Sequence, residues 1–157
     1  MGIFSDLTSP NIWAIFGPDA TVWNFYVFNG FYPRLYGYSD QRYDWIPTVR
    51  LKKGVTWSDG KPITAEDVAF TVNTVLEFQL PGNWASIVDR EFVERAEAPD
   101  PSTVKFYFKR KPGLSRWQFG LAFAPIAPKH YWEPVVAEAR KAADIPGRQR
   151  ALFAHVP

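Results

Sequence analysis

The feature that most constrains the fold of this chain is a run of closely spaced turn and helix signals between residues 49 and 76. Lys52-Lys53-Gly54 and Ser58-Asp59-Gly60-Lys61 each place a glycine where a tight turn needs left-handed backbone, and the Asp59 side chain can bond the backbone two residues ahead. Apolar residues flank the first turn, so residues 49–57 are predicted to form a β-hairpin. The flanking residues are Val49, Leu51, Val55 and Trp57.

A helix is predicted to begin at Thr64. Its hydroxyl can accept a hydrogen bond from the amide of Asp67, and the carboxylates of Glu66 and Asp67 lie at the positive end of the helix dipole. Pro81-Gly82 is expected to end the helix. Its apolar face consists of Val68, Val72, Val75 and Leu76. Because β-branched residues lower intrinsic helicity, this helix depends on packing against a core.

Strict alternation identifies the best-defined strand at residues 103–109. It places Val104, Phe106 and Phe108 on one face and polar residues on the other. Residues 91–97 are its predicted antiparallel partner, joined to it by a turn at 98–102.

The ends of the chain carry weaker signals. Pro128 suits the first turn of a short helix, and residues 135–143 look helical. Residues 8–47 read as irregular structure, within which 21–28 is either a buried strand or a buried helix. A chain of this length and composition is expected to form a single globular domain.

Composition excludes several classes of site. The 157 residues include no cysteine and two histidines, so thiolate metal sites, iron–sulfur clusters and cysteine nucleophiles are absent, and no metal or cofactor is expected. A net charge of +2 is too small to indicate a nucleic-acid partner. Neither a secretion signal nor a membrane-spanning stretch is expected in the chain. Aromatic residues make up 17% and crowd the first third, which suits a core or a flat binding surface.

Three parts of the sequence are candidates for a catalytic or nucleic-acid-binding role. Asp59, Glu66 and Asp67 could serve a two-carboxylate glycosidase, but each also suits a turn or the first turn of a helix. His130 could act as a general base, but the sequence contains no Gly-x-Ser-x-Gly elbow that would supply a nucleophile. A basic, aromatic strand superficially resembles an RNA-binding strand but lacks its glycines, and a solvated strand face is the simpler interpretation. We therefore predict no catalytic residue.

Residues 49–72 resemble the signature of extracellular solute-binding protein family 5, the oligopeptide-, dipeptide- and nickel-type receptors of ABC importers. The match is ungapped, and its turn Trp57-Ser58-Asp59-Gly60 and helix start Thr64-Ala65-Glu66-Asp67-Val68 occur in order. Residues 125–132, with Pro128-Lys129-His130, resemble the Ile-x-Pro-Lys-His element of the family. The resemblance covers most of the chain, although a strand that the family usually places before the signature is deleted or fused here.

The resemblance implies a bilobed, periplasmic-binding-protein-like fold of mixed α/β (α+β) class. Residues 1–157 would be a partial N-terminal lobe of this fold, with the second lobe absent. Such receptors close on a solute and deliver it to ABC permease subunits in the membrane, without covalent chemistry. It also implies a periplasmic or extracellular, membrane-associated location. Trp57, Asp59, Thr64 and Asp67 are marks of the family whose expected role is structural, in a turn, a helix cap and packing.

Candidate ligand contacts follow from the same resemblance. We expect Trp23, Asn24 and Tyr26, from the aromatic segment, and Trp84, from the loop after the signature helix, to face the solute, although each ring could equally fill the core. Peptides are the default solute, and oligosaccharides are the alternative, because aromatic rings also suit sugar stacking. Since half a clamshell cannot enclose a ligand, the chain is expected to bind its solute weakly or not at all.

Overall fold

The computed structural model describes residues 11–13, 48–80, 88–110 and 124–157. Within these ranges the chain forms three strands and three helices of mixed α/β class, as expected. The strands are β1 (Thr48–Arg50), β2 (Val93–Asp100) and β3 (Thr103–Phe108), and the helices are α1 (Ala65–Glu77), α2 (Lys129–Ala139) and α3 (Ile145–Ala154).

The strands form one antiparallel sheet in the order β1-β3-β2. Val49 pairs with Val104, and Ala96 pairs with Phe106, so the buried residues of all three strands share one face. Helix α1 covers this face, and its Val72 is fully buried. The predicted alternation of β3 is confirmed, because Val104 and Phe106 are buried and Phe108 packs against the core.

Strand β2 runs further than the sequence indicated. It continues through Asp100, and only Pro101 and Ser102 separate it from β3. The turn is therefore shorter than the predicted one over residues 98–102. The Asp100 carboxylate makes this short turn possible, because it accepts hydrogen bonds from the Ser102 amide at 2.9 Å and the Ser102 hydroxyl at 2.7 Å. These bonds lower the pKa of Asp100 to about 2. On the other side of β2, the Asn73 amide bonds both the N–H and the C=O of Ala96, at 2.9 and 2.8 Å, and so closes part of the strand edge.

The predicted hairpin over residues 49–57 is wrong, although both predicted turns exist. Gly54 and Gly60 have φ of 77° and 82°. Strand β1 pairs with β3, and the Leu51 amide extends that ladder by donating to the Ser102 carbonyl at 2.7 Å. A small hairpin forms one turn later instead, where Thr56 bridges to Pro62 around the second turn. Strand β1 therefore pairs with the distant strand β3 and not with the neighbouring residues 55–57.

Helix α1 begins as predicted and ends earlier. Thr64 is its N-cap, and the Thr64 amide donates to the Asp67 carboxylate at 2.8 Å, which completes a capping box. Its last residue is Glu77, before Pro81 is reached. Gln79 turns the chain out of the helix with φ of 49°, and the amides of Gln79 and Leu80 donate back to the carbonyls of Leu76 and Val75.

The last two helices differ from the weaker sequence signals. Helix α2 is one helix from Lys129 to Ala139, with Pro128 at its N-cap and Pro134 inside it. Helix α3 was not predicted. Its N-cap is Asp144, whose carboxylate accepts from the Gly147 amide at 2.6 Å, and a proline lies in its first turn.

Helix α3 also joins distant parts of the chain. The buried Asn11 side chain donates to the carbonyls of Leu152 at 2.8 Å and His155 at 3.0 Å, at the end of this helix. Trp13 is fully buried beside Trp132, with their rings edge to face and their centroids 6.1 Å apart. Residues 11–13 therefore belong to the same core as the helices.

Candidate functional site

The carboxylate of Asp67 is the centre of a polar cluster that joins three segments of the chain. Asp67 is only 4% exposed, and both of its carboxylate oxygens accept hydrogen bonds. Oδ2 accepts from the Thr64 amide at 2.8 Å and from the Trp57 indole N–H at 3.4 Å, and Oδ1 accepts from the Lys129 amide at 2.8 Å. One side chain therefore fixes the turn, the start of α1 and the start of α2, which is the structural role that we expected for Trp57, Thr64 and Asp67.

Two further pairs join the same segments at the surface. His130 Nε2 lies 2.8 Å from Asp59 Oδ2, and Lys129 Nζ donates to Glu66 Oε2 at 2.9 Å. The bond to Glu66 raises the pKa of Lys129. The Pro-Lys-His element thus docks on the Trp-Ser-Asp-Gly turn and the helix start, so two separate motifs of the sequence meet in one place.

A third bond extends this docking along α1. The Thr71 hydroxyl donates to the Asp67 carbonyl at 2.7 Å and accepts from the Ala127 amide at 2.9 Å. Residues 124–127 are buried, so the segment that leads into α2 lies against α1 rather than in solvent. Neither Thr71 nor the backbone of Lys129 could be assigned to the cluster from the sequence. Both bonds use a backbone amide as donor, and every residue type except proline has one.

The geometry of the acidic residues does not favour a glycosidase. Both oxygens of Asp67 accept hydrogen bonds from backbone amides, and Glu66 is paired with Lys129. The Lys61 backbone amide, together with His130, holds the pKa of Asp59 below its usual value, whereas a general acid needs a raised pKa. The three carboxylates therefore act in a turn, a surface ion pair and a buried cap.

The outer face of the sheet is a network of exposed polar side chains. The Arg95 guanidinium lies 3.7 Å over the Tyr107 ring and bonds Glu97 at 2.9 Å, and the Tyr107 hydroxyl donates to Glu97 at 2.9 Å. Bonding to Glu97 raises the pKa of Tyr107. Phe106, an aromatic residue of the strand that superficially resembles an RNA-binding strand, is buried in the core. This face is therefore a solvated strand surface with its own partners.

A groove of about 560 Å³ lies between the C-terminal end of α1 and the start of β2, and we call it the α1–β2 groove. Its apolar residues are Leu76 and Val93, and the rest of its lining is polar or charged. The polar residues are Asn73, Glu77, Gln79, Arg90, Glu94 and Lys109.

The predicted ligand contacts lie elsewhere in the chain. Trp23, Asn24, Tyr26 and Trp84 fall outside the residues that the structure describes, so their roles stay predictions. Across the described ranges, no group of three acidic or histidine side chains is placed to hold a metal ion. No helix there is long and apolar enough to cross a membrane.

Comparison with known sequences gives a family and named relatives. Residues 46–149 match the model of bacterial extracellular solute-binding proteins, family 5 Middle. The probable peptide-binding protein YejA of Agrobacterium fabrum is 31% identical over 88 residues, which are 55% of this chain and 13% of YejA. The oligopeptide-binding protein AppA of Bacillus subtilis is 35% identical over 82 residues, which are 52% of this chain and 14% of AppA. The matched region is thus a small part of each relative.

Solved structures agree on the fold. The ABC transporter substrate-binding protein CtaP of Listeria monocytogenes superposes with a TM-score of 0.56 at 28% identity, over 82% of this chain and 28% of CtaP. The mannohexaose-bound periplasmic oligopeptide-binding protein of Thermotoga maritima superposes with a TM-score of 0.63 at 24% identity, over 97% of this chain and 27% of that protein. Since the family model covers well over half of the sequence, the chain belongs to the bacterial extracellular solute-binding proteins of family 5.

Proposed function

We propose that this chain forms part of the first lobe of the substrate-binding component of an ABC importer, and that its solute is a peptide. The observation that carries this proposal is the family match over residues 46–149. The contacts around Asp67 support it, because they join the signature to the start of α2. Two relatives of more than 30% identity are named as peptide-binding proteins. The second lobe, the permease partners and a periplasmic or extracellular, membrane-associated site of action belong to the same proposal.

The proposed activity is binding without covalent chemistry. The signature carboxylates are engaged in structural bonds, as the paired Asp67 and Glu66 show. An oligosaccharide is the alternative solute. The mannohexaose-bound neighbour supports a shared fold, but at 24% identity it does not bear on the solute of this chain.

Thermal unfolding in the presence of candidate solutes tests the proposal. We expect tri- and tetrapeptides at about 10 mM to raise the melting temperature by a few degrees, because a solute at about ten times a dissociation constant of about 1 mM stabilises the folded state by about 1.4 kcal/mol. Mannohexaose at the same concentration is expected to have no effect. A response to mannohexaose alone, or no response to any peptide, would contradict the proposed solute.

Variants of the proposed contacts refine this test. Trp84→Ala, and Trp23→Ala combined with Tyr26→Ala, are expected to reduce the response to peptide. Tyr131→Ala is the control, since it removes a ring that is 42% exposed and that carries no proposed contact. A full response in the Trp84 and Trp23/Tyr26 variants would show that the peptide binds elsewhere.

A further inference from the structure

The acidic residues of the α1–β2 groove are already paired with arginines. Glu77 forms two bonds with Arg140, at 2.8 and 2.7 Å. Glu94 accepts from Arg95 at 2.6 Å. Neither arginine lines the groove. The negative charge of the groove is therefore offset by cations that approach from outside it.

Among the described residues, the two cations of the groove bond to neutral partners only. Arg90 Nη1 donates to the Gln79 side-chain oxygen at 3.3 Å, and Lys109 Nζ donates to the Arg90 backbone carbonyl at 3.0 Å. Neither Arg90 nor Lys109 forms an ion pair within the ranges that the structure describes. Because Lys109 bonds the backbone of Arg90, both cationic residues lie at the same part of the groove. Each retains donors that could bind an anionic group.

The end of α1 would ordinarily repel an anion, because helix C-termini carry partial negative charge. Here its carbonyls have partners. The Gln149 side-chain amide donates to the carbonyls of Phe78 at 2.8 Å and Gln79 at 3.1 Å. The carbonyls of Leu76 and Val75 accept from the backbone that leaves the helix. The helix end is therefore less unfavourable to an anion than an uncapped one.

We infer that the α1–β2 groove binds the C-terminal carboxylate of a short peptide through Arg90 and Lys109. The apolar lining residues Leu76 and Val93 would contact the side chain of the last peptide residue. The volume of about 560 Å³ falls within the roughly 300–1,000 Å³ of small-molecule sites. The choice of a peptide as the carrier of the carboxylate rests on the proposed function.

The test compares trialanine with its C-terminal amide, which has the same size but no carboxylate. Each peptide is titrated into the 157-residue chain, and backbone amide shifts are followed by nuclear magnetic resonance. We expect trialanine to shift the amides of Leu76, Gln79 and Val93 with a dissociation constant on the order of 1 mM or weaker, because the site is open and screened by solvent. The amidated peptide should bind about two- to fivefold more weakly.

Charge-removing variants locate the site. Arg90→Gln and Lys109→Gln are each expected to weaken trialanine binding about two- to fivefold, and the double variant more than either. Lys105→Gln is the matched control, because it removes the same charge from an exposed residue of β3 outside the groove. Its affinity for trialanine should be unchanged.

Four results would overturn the inference. Equal affinity for the two peptides would show that the carboxylate is not recognised. An equal loss in Lys105→Gln would indicate a general charge effect. Shifts confined to residues away from the groove would refute this site while leaving the proposed peptide function intact, whereas a chain that responds to no peptide in either experiment contradicts both.

Discussion

At the scale of single residues, Asp67 shows how one buried carboxylate organises three segments. Its donors come from the Trp57 indole, the Thr64 amide and the Lys129 amide, and they fix a turn and two helix starts. The sequence indicates part of this, because Thr64 and Asp67 have the spacing of a helix cap. It does not indicate the bond from Lys129, since any residue type offers a backbone N–H and the contact spans 62 positions.

Replacing Asp67 with asparagine is expected to lower the free energy of unfolding by about 2–3 kcal/mol. An amide has one acceptor oxygen, so its NH₂ group would face the N–H of either Lys129 or Thr64 and leave that buried donor unpaired. Urea denaturation followed by circular dichroism measures the change. Glu66→Gln is the control, because Glu66 is 62% exposed and its ion pair is worth at most about 1 kcal/mol. Equal losses in the two variants would contradict the role given to Asp67.

At the scale of elements, local patterns predicted what local interactions decide. The alternation of β3 and the cap of α1 are properties of consecutive residues, and both are confirmed. The hairpin at 49–57 is wrong because the partner of β1 is β3, which lies more than 50 positions later. Helix α3 was missed although Asp144, followed by a proline in the first turn, carried a readable start signal.

The end of α1 yields a prediction about backbone strain. Gln79 adopts a left-handed φ of 49°, which disfavours residues with a Cβ atom. Gln79→Gly is therefore expected to be more stable than Gln79→Ala by about 1 kcal/mol, since both variants lose the side-chain bond to Arg90 and only glycine relieves the strain. Thermal or urea denaturation of the two variants makes the comparison. An alanine variant as stable as the glycine variant would show that the left-handed turn is not strained.

At the scale of the whole molecule, two motifs that are distant in sequence form one docking surface. Asp59 contacts His130, and Asp67 contacts Lys129, so residues of the family signature hold the start of α2 against the turn and the start of α1. The family and fold class could be predicted from the sequence, because the signature is long and its turns and cap have defined spacing. The solute contacts Trp23, Asn24, Tyr26 and Trp84 stay predictions, since a ring that faces a ligand and a ring that fills a core look alike in sequence.

We propose that this chain is one part of a solute-binding cleft. The described residues form a single core, and the α1–β2 groove on their surface is open rather than enclosed. A small-molecule site buries roughly 70–90% of its ligand, which one side of a cleft does not achieve. Affinity for the solute should therefore be weak when this chain acts alone.

Isothermal titration calorimetry of the 157-residue chain with a panel of di- to pentapeptides tests this claim most directly. We expect dissociation constants far weaker than about 1 µM for every peptide, and near the millimolar range for the peptides that bind most tightly. A dissociation constant below about 1 µM for any of these peptides would contradict it, because the chain would then hold a complete site of its own.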